Sequence, residues 1–119
     1  WYEELKTMEG KHCLACFREH RLLGYLKFRA GRLPFPSLKF EEMIVDLNEM
    51  PNEAADALLV SVKSFKERYG YRRIFAYVAE TALPIVSALE HHGFKKAGAM
   101  KDYYFIDGYY VNSAVYGYP

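Results

Sequence analysis

The chain has 119 residues, 51% of them hydrophobic and 26% charged, and 16 Lys and Arg against 15 Asp and Glu leave a net charge of +1. This length fits one domain with one core. No apolar run approaches the roughly 20 residues of a membrane span. Because the basic residues are spread along the chain, neither nucleic acid nor a membrane is indicated as a partner. We expect one domain over residues 1–119, which leaves a place in a longer chain open.

The only two cysteines, Cys13 and Cys16, lie three positions apart in a segment that is typical of a strand. Odd and even positions of a strand face opposite ways, so the pair is poorly placed to share a metal. A structural zinc site also needs a second pair of ligands at defined spacing, which the chain lacks. We therefore predict no metal site and a reducing, cytoplasmic location.

The first part of the chain predicts strands. Residues 2–8 are interpreted as the end of a helix that Gly10 terminates. Alternation of apolar and polar residues predicts a hairpin with strands at residues 12–17 and 22–28. Residues 29–37 contain Gly31, Pro34 and Pro36 and predict a loop, and residues 38–47 predict a third strand.

The second part predicts helices that alternate with strands. An amphipathic helix begins at Pro51 and ends near Gly70, and a short apolar strand follows at residues 74–79. Thr81 is a candidate cap for a second helix, which Gly93 ends. Residues 95–106 and 109–118 predict a hairpin around the turn pair Asp107-Gly108. The predicted order is β-β-β-α-β-α-β-β, an α/β (α+β) mixed sheet with helices covering its faces.

Three motifs of the chain are specific enough to compare with known families. Residues 88–94, Ala-Leu-Glu-His-His-Gly-Phe, end the last predicted helix. Residues 101–110 carry Asp107-Gly108 followed by tyrosine, and residues 12–28 form an early hairpin with Gly24. Together they resemble the end of the last helix, the closing hairpin and the early hairpin of the GNAT superfamily of N-acetyltransferases. The resemblance implies a GNAT-like mixed sheet in which the family's N-terminal strand and helices are largely absent.

The resemblance also implies acetyl-CoA or another acyl-CoA as cofactor. In the family, acyl-CoA lies at a split between two central strands, and its pyrophosphate binds backbone N–H groups at a helix start that follows a Gln/Arg-x-x-Gly-x-Gly/Ala loop. Alignment places the binding backbone at Val45 and Leu47 and the helix start at Ala54 and Ala55. The loop corresponds to residues 50–55, Met-Pro-Asn-Glu-Ala-Ala, which has neither glycine.

The degenerate loop has two interpretations. Pro51 removes a backbone donor, and Glu53 adds a carboxylate where two phosphates would lie. In the second interpretation, Pro51 and Glu53 only start and stabilise the helix, since proline and acidic residues are favourable in the first turn.

The resemblance implies catalytic residues at three places. A general base is expected on the strand at residues 38–47, where Glu41 and Glu42 are predicted to point to opposite faces, and Glu41 is the candidate. The tyrosine that serves many family members as general acid corresponds to Leu89. Tyr103 is therefore the candidate general acid. The alternatives by proximity in sequence are Tyr104, His91 and His92.

Two functions remain open at this stage. One is an acyl-CoA-dependent N-acyltransferase that modifies a small-molecule or protein amine. The other is a catalytically inactive GNAT-like binding or regulatory module, which the missing glycines favour. The fold alone does not distinguish them. A homodimer is a further open alternative, in which the aromatic final strand pairs with a second copy.

Overall fold

The computed structural model describes the backbone of residues 2–8 and the full residues 11–31 and 36–119. Within these ranges the elements are β1 (Tyr2–Met8), β2 (Lys11–Arg18), β3 (Arg21–Gly31), β4 (Ser37–Val45), α1 (Pro51–Tyr69), β5 (Arg73–Ala79), α2 (Leu83–His91), β6 (Lys95–Ile106) and β7 (Tyr109–Tyr118). The strands form one seven-stranded sheet in the order β1-β2-β3-β4-β5-β7-β6. Pairing is antiparallel except between β4 and β5, which are parallel.

The predicted mixed sheet and its order are confirmed from β2 onward, but the first element is wrong. Tyr2–Met8 is a strand, and it pairs with β2 from Tyr2 opposite Phe17 to Met8 opposite Lys11. The ladder satisfies the backbone of this segment through β2, whereas an isolated helix of this length is unstable.

Two smaller boundaries also differ from the predictions. Thr81 does not cap α2, because Ala82 is the N-cap and makes no side-chain bond. Thr81 instead offers its carbonyl to the N–H of Leu83 at 2.9 Å. The predicted loop at residues 29–37 is shorter, since β3 extends to Gly31 and β4 begins at Ser37. Residues 32–35 lie outside the described part of the chain.

Both helices pack on the same face of the sheet, which we call the helix face. Phe65 of α1 lies 4.8 Å from the ring of His12 and 5.1 Å from that of Phe28. Tyr116 of β7 donates a hydrogen bond to Glu90 of α2 at 3.2 Å. The helix face carries the buried core, including Leu14, Cys16, Leu26, Phe28, Leu38, Phe40, Met43, Val45, Ile74, Ala76 and Val78.

The other face of the sheet, which we call the open face, has no helix over it in the described part of the chain. Strand alternation places one half-buried or exposed set of side chains there: Cys13, Ala15, Tyr25, Lys27, Lys39, Glu42, Phe75, Tyr77 and Val115. Cys13 and the fully buried Cys16 thus lie on opposite faces, which confirms their predicted separation.

The predicted hairpin of β6 and β7 is confirmed. Asp107 and Gly108 both have positive φ, 50° and 83°, as a two-residue turn of this twist requires. Between Met100 and Tyr104 the register shifts, so that residues 101–103 bulge opposite Asn112. Strand β7 lies between β5 and β6, so the idea that this final strand pairs with a second copy through its edge is wrong.

At Gly24, strand β4 lies too close to β3 for a side chain to fit without displacement. A Cβ at this position would lie 2.8 Å from the carbonyl oxygen of Ile44 and 3.1 Å from Cγ1 of Val45. We therefore expect Gly24→Ala to lower the free energy of unfolding by about 1–3 kcal/mol, the usual cost of overpacking, as measured by urea denaturation. Gly98→Ala is the control because nothing lies within 4 Å of its Cβ position. Equal losses in both variants would refute the steric reason.

His12 gives the core a pH dependence. Its Nδ1 is buried without a hydrogen-bond partner in the described chain, and burial lowers its pKa below the ordinary 6.5. The unfolded chain therefore binds the proton on His12 more readily than the folded chain does. As a result, the free energy of unfolding has its full value above pH 6.5 and declines as the pH falls below it. We expect denaturation curves of His12→Phe to lose this decline. His20→Asn, at an exposed turn, is the control, and an unchanged decline in His12→Phe would contradict the assignment.

Candidate active site

Strands β4 and β5 separate soon after they meet. Their parallel pairing covers three positions, Ser37 with Arg73, Leu38 with Ile74 and Lys39 with Phe75. Beyond them β4 runs to Val45 and β5 to Ala79, with no ladder between the two in the described chain. We call the space between these two strand ends the gap.

A β-bulge in β4 lies where the gap begins. Lys27 of β3 is opposite Glu42 and Phe28 is opposite Phe40, so Glu41 is the extra residue. A bulge bends its strand and increases the local twist, which accounts for the departure of β4 from β5. It also corrects the prediction that Glu41 and Glu42 point to opposite faces. Both contact the odd-numbered side chains of β3 on the open face.

The backbone of Val45 points into the gap from the β4 side. The N–H of Asp46 donates to the carbonyl oxygen of Leu23 on β3 at 2.8 Å. Because successive residues of a strand direct their backbone groups to alternate sides, the N–H and C=O of Val45 point away from β3. Its side chain is 7% exposed on the helix face. Val45 therefore offers one donor and one acceptor to a ligand in the gap.

The backbone of Tyr77 points into the gap from the β5 side. The N–H of Glu80 donates to the carbonyl oxygen of Asn112 on β7 at 3.0 Å. The same alternation turns the backbone groups of Tyr77 and Ala79 away from β7 and towards β4. The hydroxyl of Tyr104, on the edge strand β6, donates to the carbonyl oxygen of Tyr77 at 3.2 Å.

Polar and aromatic side chains surround the open-face end of the gap. The ammonium of Lys39 lies 4.7 Å from the ring centre of Tyr77, which joins β4 to β5 where pairing stops. Tyr25 donates its hydroxyl to the carboxylate of Glu42, and this bond is the main reason that the pKa of Tyr25 lies above its ordinary value. The ammonium of Lys27 lies 5.5 Å from the Tyr25 ring.

Glu41, the predicted general base, pairs instead with a cation. Its Oε1 lies 3.5 Å from Nε of Arg29, and the side chains are 36% and 52% exposed. An ion pair this exposed contributes little to stability. Of the two glutamates, Glu42 has the better-fixed carboxylate because a phenol on the neighbouring strand holds it.

The start of α1 offers few free donors. Met50 is the N-cap with φ 49° and no side-chain bond. Pro51 has no N–H, and the N–H of Ala54 already donates to the carbonyl of Met50 at 3.0 Å. Only the N–H groups of Asn52 and Glu53 remain from the first turn. Of the other predicted cofactor residues, Leu47 is 69% exposed and Ala55 is fully buried.

Two arginines from the β2–β3 turn reach the segment before α1. Arg21 pairs with Glu49 at 3.1 Å, and a guanidinium nitrogen of Arg18 contacts the sulfur of Met50 at 2.6 Å. Positive side chains therefore lie beside the helix start, although the acidic Glu53 lies in its first turn.

Helix α2 contributes no general acid at the position that corresponds to the family's tyrosine, because the fully buried Leu89 occupies it. His92 is bound elsewhere, with its Nε2 2.9 Å from Oδ1 of Asp56 on α1. Tyr103, the predicted acid, is 50% exposed and meets the ring of Tyr104 edge-on at 4.9 Å. Of the two adjacent tyrosines, Tyr104 is the one whose hydroxyl bonds the backbone of the gap.

Neither a metal centre nor a membrane span is found in the part of the chain that is described. No group of three or more His, Cys, Asp or Glu is arranged to hold a metal ion. Neither described helix combines the length and the apolar character needed to cross a bilayer.

The family model for the acetyltransferase (GNAT) domain matches residues 3–115. The chain belongs to the GNAT acetyltransferase family. This confirms the resemblance drawn from the closing hairpin and the Gly-Phe motif. No functionally curated protein matches the chain in sequence.

Solved structures share the fold at low sequence identity. A GNAT-family acetyltransferase from Streptococcus pneumoniae has a TM-score of 0.77 at 16% identity, over 94% of this chain and 68% of its own. NAA60 from Arabidopsis thaliana, in complex with a bisubstrate analogue, has a TM-score of 0.76 at 14% identity, over 92% and 75%. A ribosomal-protein-alanine N-acetyltransferase from Brucella melitensis has 0.74 at 18%, over 92% and 69%.

Sequence reasoning missed the bulge and with it the setting of Glu42. The signal was present, because Phe40 and Met43 are both buried yet lie three positions apart, with two glutamates between them. A regular strand buries every second residue. The sequence holds no comparable indication of the hydrogen bond between Tyr104 and Tyr77. This bond requires the Tyr104 side chain to extend over β7, which lies between β6 and β5.

Proposed function

We propose that this GNAT domain is an acyl-CoA-dependent N-acyltransferase with an atypical cofactor loop. The observation that carries the proposal is the gap, in which the backbone groups of Val45 have no strand partner among the described residues. Buried backbone donors and acceptors need partners, and the amides of a pantetheine arm offer both. The donor would supply an activated acyl group as a thioester. Its phosphates would lie towards α1 and the two arginines of the β2–β3 turn.

Glu42 is the general base in this proposal. Its carboxylate is held by Tyr25 at the open-face end of the gap, where an amine can approach from the side that no described helix covers. It would take the proton of the amine as the nitrogen attacks the acyl carbon. Glu41, engaged with Arg29, is the alternative base and stays a prediction.

The second candidate function is a GNAT-like binding or regulatory module without turnover. The start of α1 favours it, because Pro51 lacks a donor and Glu53 places a negative charge in the first turn. Leu89 at the place of the family's acid favours it as well. Binding of acyl-CoA without transfer would fit this second function, so binding and turnover are measured separately.

Calorimetric titration with acetyl-CoA and CoA tests whether the domain binds an acyl donor. A charge variant tests whether the phosphates of CoA lie at the start of α1. We expect Glu53→Gln to bind CoA about two- to tenfold more tightly, because a carboxylate beside the phosphates is removed. The control is Glu67→Gln, on the same helix but about 20 Å away by its rise per residue. No binding at millimolar ligand would exclude the acyltransferase, and equal affinities in both variants would mean that the phosphates do not lie at α1.

Activity measurements on glutamine variants distinguish Glu42 from Glu41 as the general base. We expect Glu42→Gln to lower kcat at least a hundredfold with little change in KM for acetyl-CoA, because the proton acceptor is lost while the gap is kept. Glu41→Gln is the matched control and should retain activity within about threefold, as expected for an exposed ion pair. The reverse result would make Glu41 the base.

A further inference from the structure

Tyr104 belongs to the edge strand β6, yet its hydroxyl lies at the gap two strands away. The oxygen is 3.2 Å from the carbonyl oxygen of Tyr77, whose ladder position turns it towards β4. Between the two strands lies β7. Tyr104 is thus a side chain from outside the two central strands that hydrogen-bonds a backbone group lining the gap.

The bulge in β6 gives the side chain this direction. Residues 101–103 oppose the single residue Asn112, and Asp102 takes a positive φ of 52°. The N–H of Asp102 donates to Oδ1 of Asn112 at 3.0 Å, which fixes the bulge against β7. Ser113, the next residue of β7, is fully buried on the open face. A bulge commonly re-aims a side chain next to a functional site.

The state of the phenol suits a hydrogen-bond donor. Burial raises the pKa of Tyr104 above the ordinary value of 10.0, so the hydroxyl keeps its proton at neutral pH. The carbonyl of Tyr77, to which the hydroxyl donates, is an acceptor only. A ligand atom in the gap that carries negative charge would compete for the same proton, because hydrogen bonds to charged acceptors are stronger than those to neutral ones.

The other polar side chains near the gap are less suited to this role. Lys39 lies at the closed end, where β4 and β5 are still paired, with its ammonium over the Tyr77 ring. Glu42 accepts the hydroxyl of Tyr25 on the β4 side. From α2, the position compared with the family's acid holds the alkyl side chain of Leu89.

We propose that Tyr104 is a catalytic residue that donates its hydroxyl proton to the thiolate leaving group of the acyl donor. This inference rests on the proposed function. The amine nitrogen forms its bond to the acyl carbon, the carbon–sulfur bond breaks, and its electron pair stays on sulfur. The Tyr104 proton moves to that sulfur, Glu42 takes the proton of the amine, and solvent exchange returns each group to its starting state.

The test compares CoA with desulfo-CoA, which lacks the sulfur. In calorimetric titrations above the thiol pKa of CoA, we expect Tyr104→Phe to weaken CoA binding about tenfold, the value of one hydrogen bond to a charged group, and to leave desulfo-CoA binding unchanged. The control is Tyr109→Phe, which removes a hydroxyl from a 76% exposed side chain beside the hairpin turn and should change neither affinity. Circular dichroism of both variants checks that the sheet is intact.

Kinetics supply the second measurement. Tyr104→Phe should lower kcat with acetyl-CoA about a hundredfold. With an acetyl thioester of an acidic thiol, kcat should fall much less, because the sulfur of that leaving group needs no proton. Equal losses with both donors, or identical behaviour of the two phenylalanine variants, would overturn the role of Tyr104 while leaving the acyltransferase intact. Absence of CoA binding by the unaltered protein would overturn both.

Discussion

Backbone pairing between β4 and β5 stops after three positions, and the candidate site depends on that interruption. Had the two strands continued side by side, Val45 and Tyr77 would have bonded each other's strands and offered nothing to a ligand. The bulge at Glu41 bends β4, and the absence of a side chain at Gly24 lets β3 follow it closely. Local geometry on one strand therefore creates a lined opening in the sheet.

The opening connects two chemically different surfaces. On the helix face, five residues separate α1 from the end of β4, and α1 brings the N–H groups of Asn52 and Glu53 close to the strand end. On the open face, Tyr25 holds the carboxylate of Glu42 in place, and lysines lie over the rings of Tyr25 and Tyr77. A molecule that passes through the gap would have its charged end on the first surface and its reactive end on the second. This division follows from both helices packing on one face.

The sequence predicted most elements because their signals are local. The helix from Pro51 and the turn at Asp107-Gly108 follow from periodicity and from residues that tolerate positive φ. The segment Tyr2–Met8 was misassigned because its pairing partner, and not its own composition, decides its conformation. The candidate site was predicted only as a region, since the orientation of Glu42 depends on one extra residue in β4. The contact of Tyr104 with Tyr77 depends on tertiary structure and could not be predicted from spacing.

The short ladder also has a mechanical meaning. Strands β1 to β4 form one half of the sheet, strands β5 to β7 form the other, and three residue pairs join them. The helices bridge this seam, since His92 at the end of α2 contacts Asp56 of α1 at 2.9 Å and its carbonyl accepts a bond from Lys63 at 3.2 Å. These contacts hold the two halves of the sheet together on the helix face, away from the strands that line the gap.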